Sequence, residues 1–249
     1  MRQRVEMSRY SCHKLKPWGR CAKCVGCIAH KSRIFEGRIR AEVSSAKGMC
    51  AFCTLTYAPA HLPANNKLAS EDLTAFLKRI RIQLLNKYGI RNVRFAAVLE
   101  RGTQGTKRFH WHIIFFGVSG RILRSELSEC WRCGFVDVKR FGDAHAGYLA
   151  KYVTKAADYG IRYSRGLGHR AIMRLYCREY LRKAKGAVSL SSWYRLGGYW
   201  YATNYYLRFK IVHALRKRGV NLVKLHPDGS IDLGGFPVSP LLLKLQCYQ

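Results

Sequence analysis

Phe109-His110-Trp111-His112-Ile113-Ile114-Phe115-Phe116-Gly117 is an apolar run that holds two histidines one residue apart. Successive side chains of an extended chain point to opposite faces. Read as a strand, the run turns both imidazoles to one side and Trp111, Ile113 and Phe115 to the other. That makes a two-pronged clamp for a metal ion on the back of a hydrophobic strand. The bland alternative is a half-exposed strand with polar residues on one face.

The neighbouring segments continue the pattern. Asn92 to Glu100 reads as a strand, separated from Arg108 to Gly117 by a link with Gly102 and Gly105, so the two form an antiparallel hairpin. Cys50 to Tyr57 is another strand, with Phe52, Thr54 and Thr56 alternating with Cys53, Leu55 and Tyr57, and it stops before Pro59 and Pro63. Ser70, Glu71 and Asp72 precede Leu73, Phe76, Leu77, Ile80 and Leu84, which predicts a helix capped at Ser70 and closed near Gly89. A short strand at Gly134 to Lys139 leads into a helix from Asp143 to Asp158, with Asp143 as its cap. An earlier helix covers roughly Ala29 to Val43. The fold class expected is α+β, an antiparallel sheet with helices on one face.

Two imidazoles alone hold a divalent ion weakly, so a third ligand is expected. Glu100 is the choice, because it ends the strand that the hairpin lays beside His110. Whether its face meets the histidines depends on register, which sequence does not give. His145 competes as a ligand, but its place before Tyr148 makes it a neighbour of the site instead.

The helix after residue 142 contains Tyr148-Leu-Ala-Lys151-Tyr152-Val-Thr-Lys155. Residues four apart share a helix face, so Tyr148 and Tyr152 stand one turn apart, with Leu149, Val153 and Ala156 as the buried stripe and Lys151 and Lys155 away from it. A phenol is protonated at neutral pH. A nearby lysine or metal ion favours its attack by stabilising phenolate or the charge growing on a phosphate. The pair is read as candidate nucleophiles, against the alternative of a packing pair. A metal that polarises phosphate and a tyrosine that attacks it together suffice to cut DNA and stay attached to the end.

Forty-five Lys and Arg face 14 Asp and Glu, a formal charge of +31, with 12% aromatic residues. The partner implied is a polyanion. At 249 residues there is material for one main domain with extensions. The expected division is a basic, cysteine-rich arm and helix at 1–47, a catalytic core at 48–160 and a basic aromatic extension at 161–249, read as helical except for a hairpin around Pro227-Asp228-Gly229. The first ten residues carry three arginines and no apolar stretch, which argues against a secretory signal. No apolar run approaches the ~20 residues of a membrane span. No GxxxxGK[ST] phosphate loop occurs, so strand separation falls to a partner such as a host helicase.

Arg101, Lys107 and Arg108 flank the hairpin link and are candidate DNA contacts. Trp193 to Phe209 has eight aromatics in seventeen residues. Trp193, Arg195, Arg208 and Lys210 there could stack bases and hold phosphates, or the stretch is the aromatic core of a helical extension. Cys21, Cys24 and Cys27 have the spacing of a structural zinc site with Cys12 or His30 as fourth ligand; the alternative is a row of reduced thiols. Cys50 and Cys53 face opposite ways in a strand and are poor partners for one ion, and Cys130 with Cys133 is ambiguous.

The segments 52–57, 109–117 and 148–155, in that order, resemble the three motifs of the HUH endonucleases, and in detail the replication initiators of microviruses, especially the gokushovirus branch. Cys21-Ala-Lys-Cys-Val-Gly-Cys27 is similar to that branch as well. The resemblance spans roughly residues 12 to 157. It implies an RRM-like sheet, His110 and His112 as ligands of Mg²⁺ or Mn²⁺, and Glu100 as the third. It further implies Tyr148 and Tyr152 acting in alternation, one leaving a 5′-phosphotyrosine and a 3′-hydroxyl that a host DNA polymerase extends, the other releasing a closed circle. The substrate would be single-stranded or origin DNA in the cytoplasm of a host bacterium. Trp111 departs from the smaller residues common at its slot, and nothing after Ile161 matches a motif. The rival readings are a plasmid initiator or transposase of the same chemistry, and a non-catalytic protein that binds or packages single-stranded DNA.

Overall fold

The computed structural model describes residues 21, 24–102, 108–155, 160–183, 188–190, 193–203, 210, 212–213, 216–217, 222–225 and 231–233, with backbone alone at 152–155, 177–183, 188–190, 193, 202, 222–225 and 231–233. The chain divides into two compact units, one of Met1–Ile39 with Ala46–Leu167 and one of Arg40–Ser45 with Gly168–Gln249.

The first unit begins with helix α1, Val25–Ser45, whose last six residues count with the second unit. There follow β1 (Ala51–Tyr57), α2 (Asn66–Tyr88), β2 (Arg94–Arg101), β3 (Phe109–Phe116), α3 (Gly120–Trp131), β4 (Gly134–Arg140), α4 (Asp143–Lys155) and β5 (Ile161–Tyr163). The sheet order is β4-β1-β3-β2-β5, and every pairing is antiparallel. From β1 to β4 this is the β-α-β-β-α-β arrangement of ferredoxin-like and RRM-like domains, with β5 added at the β2 edge. Each helix of that pattern carries the chain between two parallel strands that are separated by an antiparallel one, so both lie on the same side of the sheet.

The core forms on that side. Leu55, Trp111, Ile113 and Phe115 from the strands meet Leu73, Phe76, Leu77 and Ile80 of α2 and Leu123, Leu127 and Trp131 of α3. The strand residues among them are fully buried. Burying an indole leaves its N–H in need of an acceptor. Trp111 Nε1 donates to the carbonyl of Ala69 at 3.2 Å and Trp131 Nε1 to that of Thr56 at 3.2 Å. Gly134 must lack a side chain, since at φ +152° a Cβ would run into the backbone of Thr56, Tyr57 and Ala58.

Several elements differ from the sequence reading, each for a local reason. Helix α2 starts at Asn66, not after Ser70, because Asn65 is the cap and its side chain accepts from the Leu68 N–H at 3.0 Å. Helix α3 has no counterpart in the sequence reading. Its cap is Ser119, and Leu123, Glu126, Leu127, Cys130 and Trp131 form its buried stripe. Helix α4 begins at Asp143 itself, so Gly142 takes the cap position: His145, three residues on, accepts the Gly142 N–H through Nδ1 at 2.8 Å. This is the reciprocal half of a capping box, with histidine in the usual place of Glu or Gln. Helix α1 is longer than Ala29 to Val43 at both ends.

The second unit holds α5 (His169–Lys183), then β6 (Val188–Leu190), β7 (Trp193–Leu196), β8 (Tyr199–Ala202), β9 (Leu222–Leu225) and β10 (Ile231–Leu233). Glu42 accepts the Gly168 N–H at 2.6 Å within it. The extension expected to be helical is therefore largely strand, with α5 as its long helix among the described residues. Strands β7 and β8 pair through Gly197-Gly198, both at positive φ, a two-residue hairpin turn that only glycine-like positions make easily. The expected tail hairpin is present as β9 paired with β10, joined to β6 in a three-stranded sheet.

Candidate active site

The site is built on the face of the sheet opposite α2 and α3. Register decides it: Glu100 pairs with His110, Val98 with His112, Thr56 with His110 and Thr54 with His112. Directly paired residues of antiparallel strands project to the same face. Glu100, both histidines and both threonines therefore converge, as the choice of Glu100 required.

The side chains engage one another. His112 Nε2 lies 2.8 Å from Glu100 Oε2, while its Nδ1 lies 3.3 Å from Thr54 Oγ1. His110 Nδ1 lies 3.0 Å from Thr56 Oγ1. The two imidazole rings stack with centroids 6.3 Å apart and planes 19° apart. Burial holds both imidazoles below their ordinary pKa, opposed by the carboxylate of Glu100; Arg108 adds to the lowering at His110, and His110 does so at His112. Neutral imidazole is the form that ligates metals.

Helix α4 crosses this face. Ala146, Leu149 and Ala150 are its buried residues. Tyr148 sits edge-on to His112 with ring centroids 5.4 Å apart, and edge-on to Phe52 at 5.8 Å. It is 38% exposed, so its hydroxyl end is open to an incoming strand. His145 stacks on Phe52 at 4.6 Å, which together with its capping bond makes it a fixing element of α4 instead of a ligand. A pocket of about 770 Å³ lies between these parts, and His112, Tyr148, Lys151 and Lys139 line it.

Not every sequence-predicted residue meets there. Tyr152 and Lys155 lie on α4, one turn beyond Tyr148 and Lys151, but their side chains are outside the described residues, as are Val153 and Ala156. Arg101 ends β2 with its guanidinium 5.7 Å from the Phe109 ring centroid, and Arg108 precedes β3. Arg195 is exposed on β7 in the second unit, and Trp193 starts that strand. Lys210 belongs to the second unit too. Lys107, Arg208 and Cys12 fall outside the described residues. The sulfurs of Cys21, Cys24 and Cys27 lie within 4.8 Å of one another and could hold a metal.

Sequence reading did not assign the roles of Thr54, Thr56, Lys139, Ser32 and Glu36. The threonines had a signal, because they alternate with core residues on β1 and so had to share the polar face. Lys139 also alternates with buried Val138 on β4, though an edge-strand lysine is too common to stand out. Ser32 and Glu36 reach the pocket from α1, a tertiary placement with no local mark.

Comparison with known proteins falls on the same segment. Residues 50–157 match the family model for the phage replication-associated protein ORF2. The chain is 29% identical over 153 residues to replication-associated protein ORF4 of Chlamydia phage 1, covering 54% of this chain and 37% of that protein. It is 28% identical over 158 residues to replication-associated protein VP4 of Bdellovibrio phage phiMH2K, covering 56% and 49%. The match thus spans less than half the length of either relative. No solved structure matches the chain significantly. The histidine strand, its carboxylate partner and the tyrosine helix all lie inside the stretch that is similar to the replication-associated protein ORF2 family.

Proposed function

We propose that the chain is a replication initiator that nicks single-stranded or origin DNA through a tyrosine of α4 and rejoins it in rolling-circle replication of a small circular phage genome. The observation that carries the reading is the meeting of His112, Glu100 and Tyr148 on one pocketed sheet face. The phage origin of both relatives supports the replicative role.

The donor set fits a divalent oxygen- and nitrogen-binding ion. His110, His112 and Glu100 would hold Mg²⁺ or Mn²⁺, with the Nδ1 atoms steered by Thr56 and Thr54 and the imidazoles neutral. Such an ion supplies Lewis-acid polarisation of a phosphate oxygen. The chain's own residues do the rest. Tyr148 or Tyr152 attacks phosphorus through its hydroxyl oxygen, the bond to the 3′ oxygen breaks, and a 5′-phosphotyrosine and a 3′-hydroxyl result. Lys151, exposed at the pocket, offsets the charge that accumulates on the phosphate oxygens. Attack by a 3′-hydroxyl on the phosphotyrosine reverses the step and joins the strand. The second tyrosine allows a second cut before the first is resolved. Host helicase and polymerase would open and copy the duplex, in the host's cytoplasm; among the described residues no helix is long and apolar enough to cross a membrane.

The experiment is to incubate the protein with Mn²⁺ and single-stranded DNA tiled across its own genome, then to run a denaturing gel. A protein band carrying DNA is expected, absent with EDTA and absent in the Tyr148→Phe, Tyr152→Phe double variant, which still binds DNA. The high positive charge also suits a passive binding or packaging protein. Tight, salt-sensitive binding with no adduct on any tile or metal would move that reading to first place.

A further inference from the structure

A second metal centre stands apart from the histidine face. Cys21 Sγ and Cys27 Sγ are 3.8 Å apart, and all three sulfurs of Cys21, Cys24 and Cys27 lie within 4.8 Å of one another. Around a tetrahedral zinc with Zn–S of about 2.3 Å, neighbouring sulfurs are about 3.8 Å apart. The backbone N–H of Cys24 points at Cys21 Sγ, 3.4 Å away, a donor that stabilises charge on that sulfur. Cys24 directly precedes α1 and Cys27 lies in its first turn, where the positive end of the helix offsets anionic ligands. Arg20 and Lys23 flank the motif in sequence. Cys27 is buried and the other two half-buried, so the group is shielded without being sealed.

We propose that Cys21, Cys24 and Cys27 bind one structural Zn²⁺, completed by a fourth ligand from this chain, and that this knot fixes the start of α1 so that α1 can brace the tyrosine helix. The brace is visible: Ser32, five residues beyond Cys27 on α1, donates from Oγ to the carbonyl of Ala150 at 2.7 Å, and Ala150 lies between Tyr148 and Tyr152 on α4. Glu36, one turn further, reaches the same pocket as Tyr148. Zinc suits the site because it favours thiolate and imidazole in closed tetrahedral sites, whereas Mg²⁺ and Mn²⁺ favour oxygen. His30, three residues after Cys27 on α1, and Cys12 are the candidates for the fourth place.

The test begins with metal analysis of the reduced 249-residue chain, purified without a histidine tag. One zinc per chain is expected, retained in a His110→Ala, His112→Ala double variant and lost in Cys21→Ser with Cys24→Ser. X-ray absorption at the zinc edge should give sulfur at about 2.3 Å; three sulfurs with one nitrogen, or four sulfurs, names His30 or Cys12 as the fourth ligand, and either supports the site. Should the serine variants fail to fold, Co²⁺ substitution of the wild-type chain reads the same point, through thiolate-to-cobalt charge-transfer bands and tetrahedral d–d absorption. A wild-type chain that takes up no zinc under reducing conditions, or that carries iron and sulfide instead, overturns the proposal. So does zinc that leaves with the His110 and His112 substitutions. The readout is metal content, independent of DNA cleavage.

Discussion

The two faces of the central sheet are made from the same strands and do opposite work. On β3, Trp111, Ile113 and Phe115 go to a dry interior closed by α2 and α3, while His110 and His112 go to a polar surface under α4. On β1, Leu55 and Tyr57 share the first face, Thr54 and Thr56 the second. The dry face carries stability, because its free energy comes from apolar area removed from water. The polar face carries chemistry and draws on that rigidity, since neighbouring backbone positions hold the threonines and histidines in register. A period of two residues therefore separates folding from function along a single strand.

That separation has measurable consequences. Trp111→Ala should cost about 3–5 kcal/mol in denaturant unfolding, with adduct formation per folded molecule nearly unchanged. A Trp111→Ala protein of wild-type stability would mean that the core does not rest on this face. Next in size, Thr54→Val and Thr56→Val should each weaken Mn²⁺ binding about 10- to 100-fold, measured by calorimetric titration, with little change in melting temperature. Binding unaltered by both would show that the threonines do not orient the imidazoles. Metal binding through His110 and His112 should persist to a pH below the ordinary histidine range, because burial lowers both pKa values, and should fail as pH drops further and the rings protonate. A midpoint above that ordinary range would contradict the burial argument.

The smallest effect belongs to the rim of the dry side. Glu126 on α3 accepts from Tyr88 at 2.7 Å, from Gln83 at 2.8 Å and from Lys87 at 3.0 Å, and these donors lower its carboxyl pKa to about 2. A depressed folded pKa gives stability that is present above the unfolded value and lost as pH falls through the folded one. Wild type should lose a few degrees of melting temperature to this group between about pH 4.5 and 2, and Glu126→Gln should remove that part of the acid dependence. Equal acid dependence in both proteins would remove the cluster from the account.

The strands were legible because alternation is a strong local signal, and it separated Trp111 from the histidines without any tertiary information. Register was not legible. Nothing in Asn92 to Glu100 alone says that Glu100 faces His110; the pairing of eight residues of β2 with β3 does. Helix α3 did leave marks in the sequence: Ser119 caps it and Leu123, Leu127 and Trp131 repeat at helical spacing, and the two parallel strands it joins, β3 and β4, require a crossover. The Gly197-Gly198 hairpin also had a sequence mark, overridden by reading an aromatic run as helix. The approach of Ser32 and Glu36 to α4 had none, since it depends on where α1 packs.

Peptide mapping of the covalent complex tests most directly whether the polar face and α4 act together. After nuclease trimming and trypsin, cleavage at Arg140, Lys151 and Lys155 places Tyr148 and Tyr152 on separate peptides, and mass spectrometry reads which one carries nucleotide. The account predicts nucleotide on one or both of these peptides, dependent on Mn²⁺ and lost in His112→Ala. Nucleotide on a residue outside α4, or an adduct that forms equally well without His112, would contradict it.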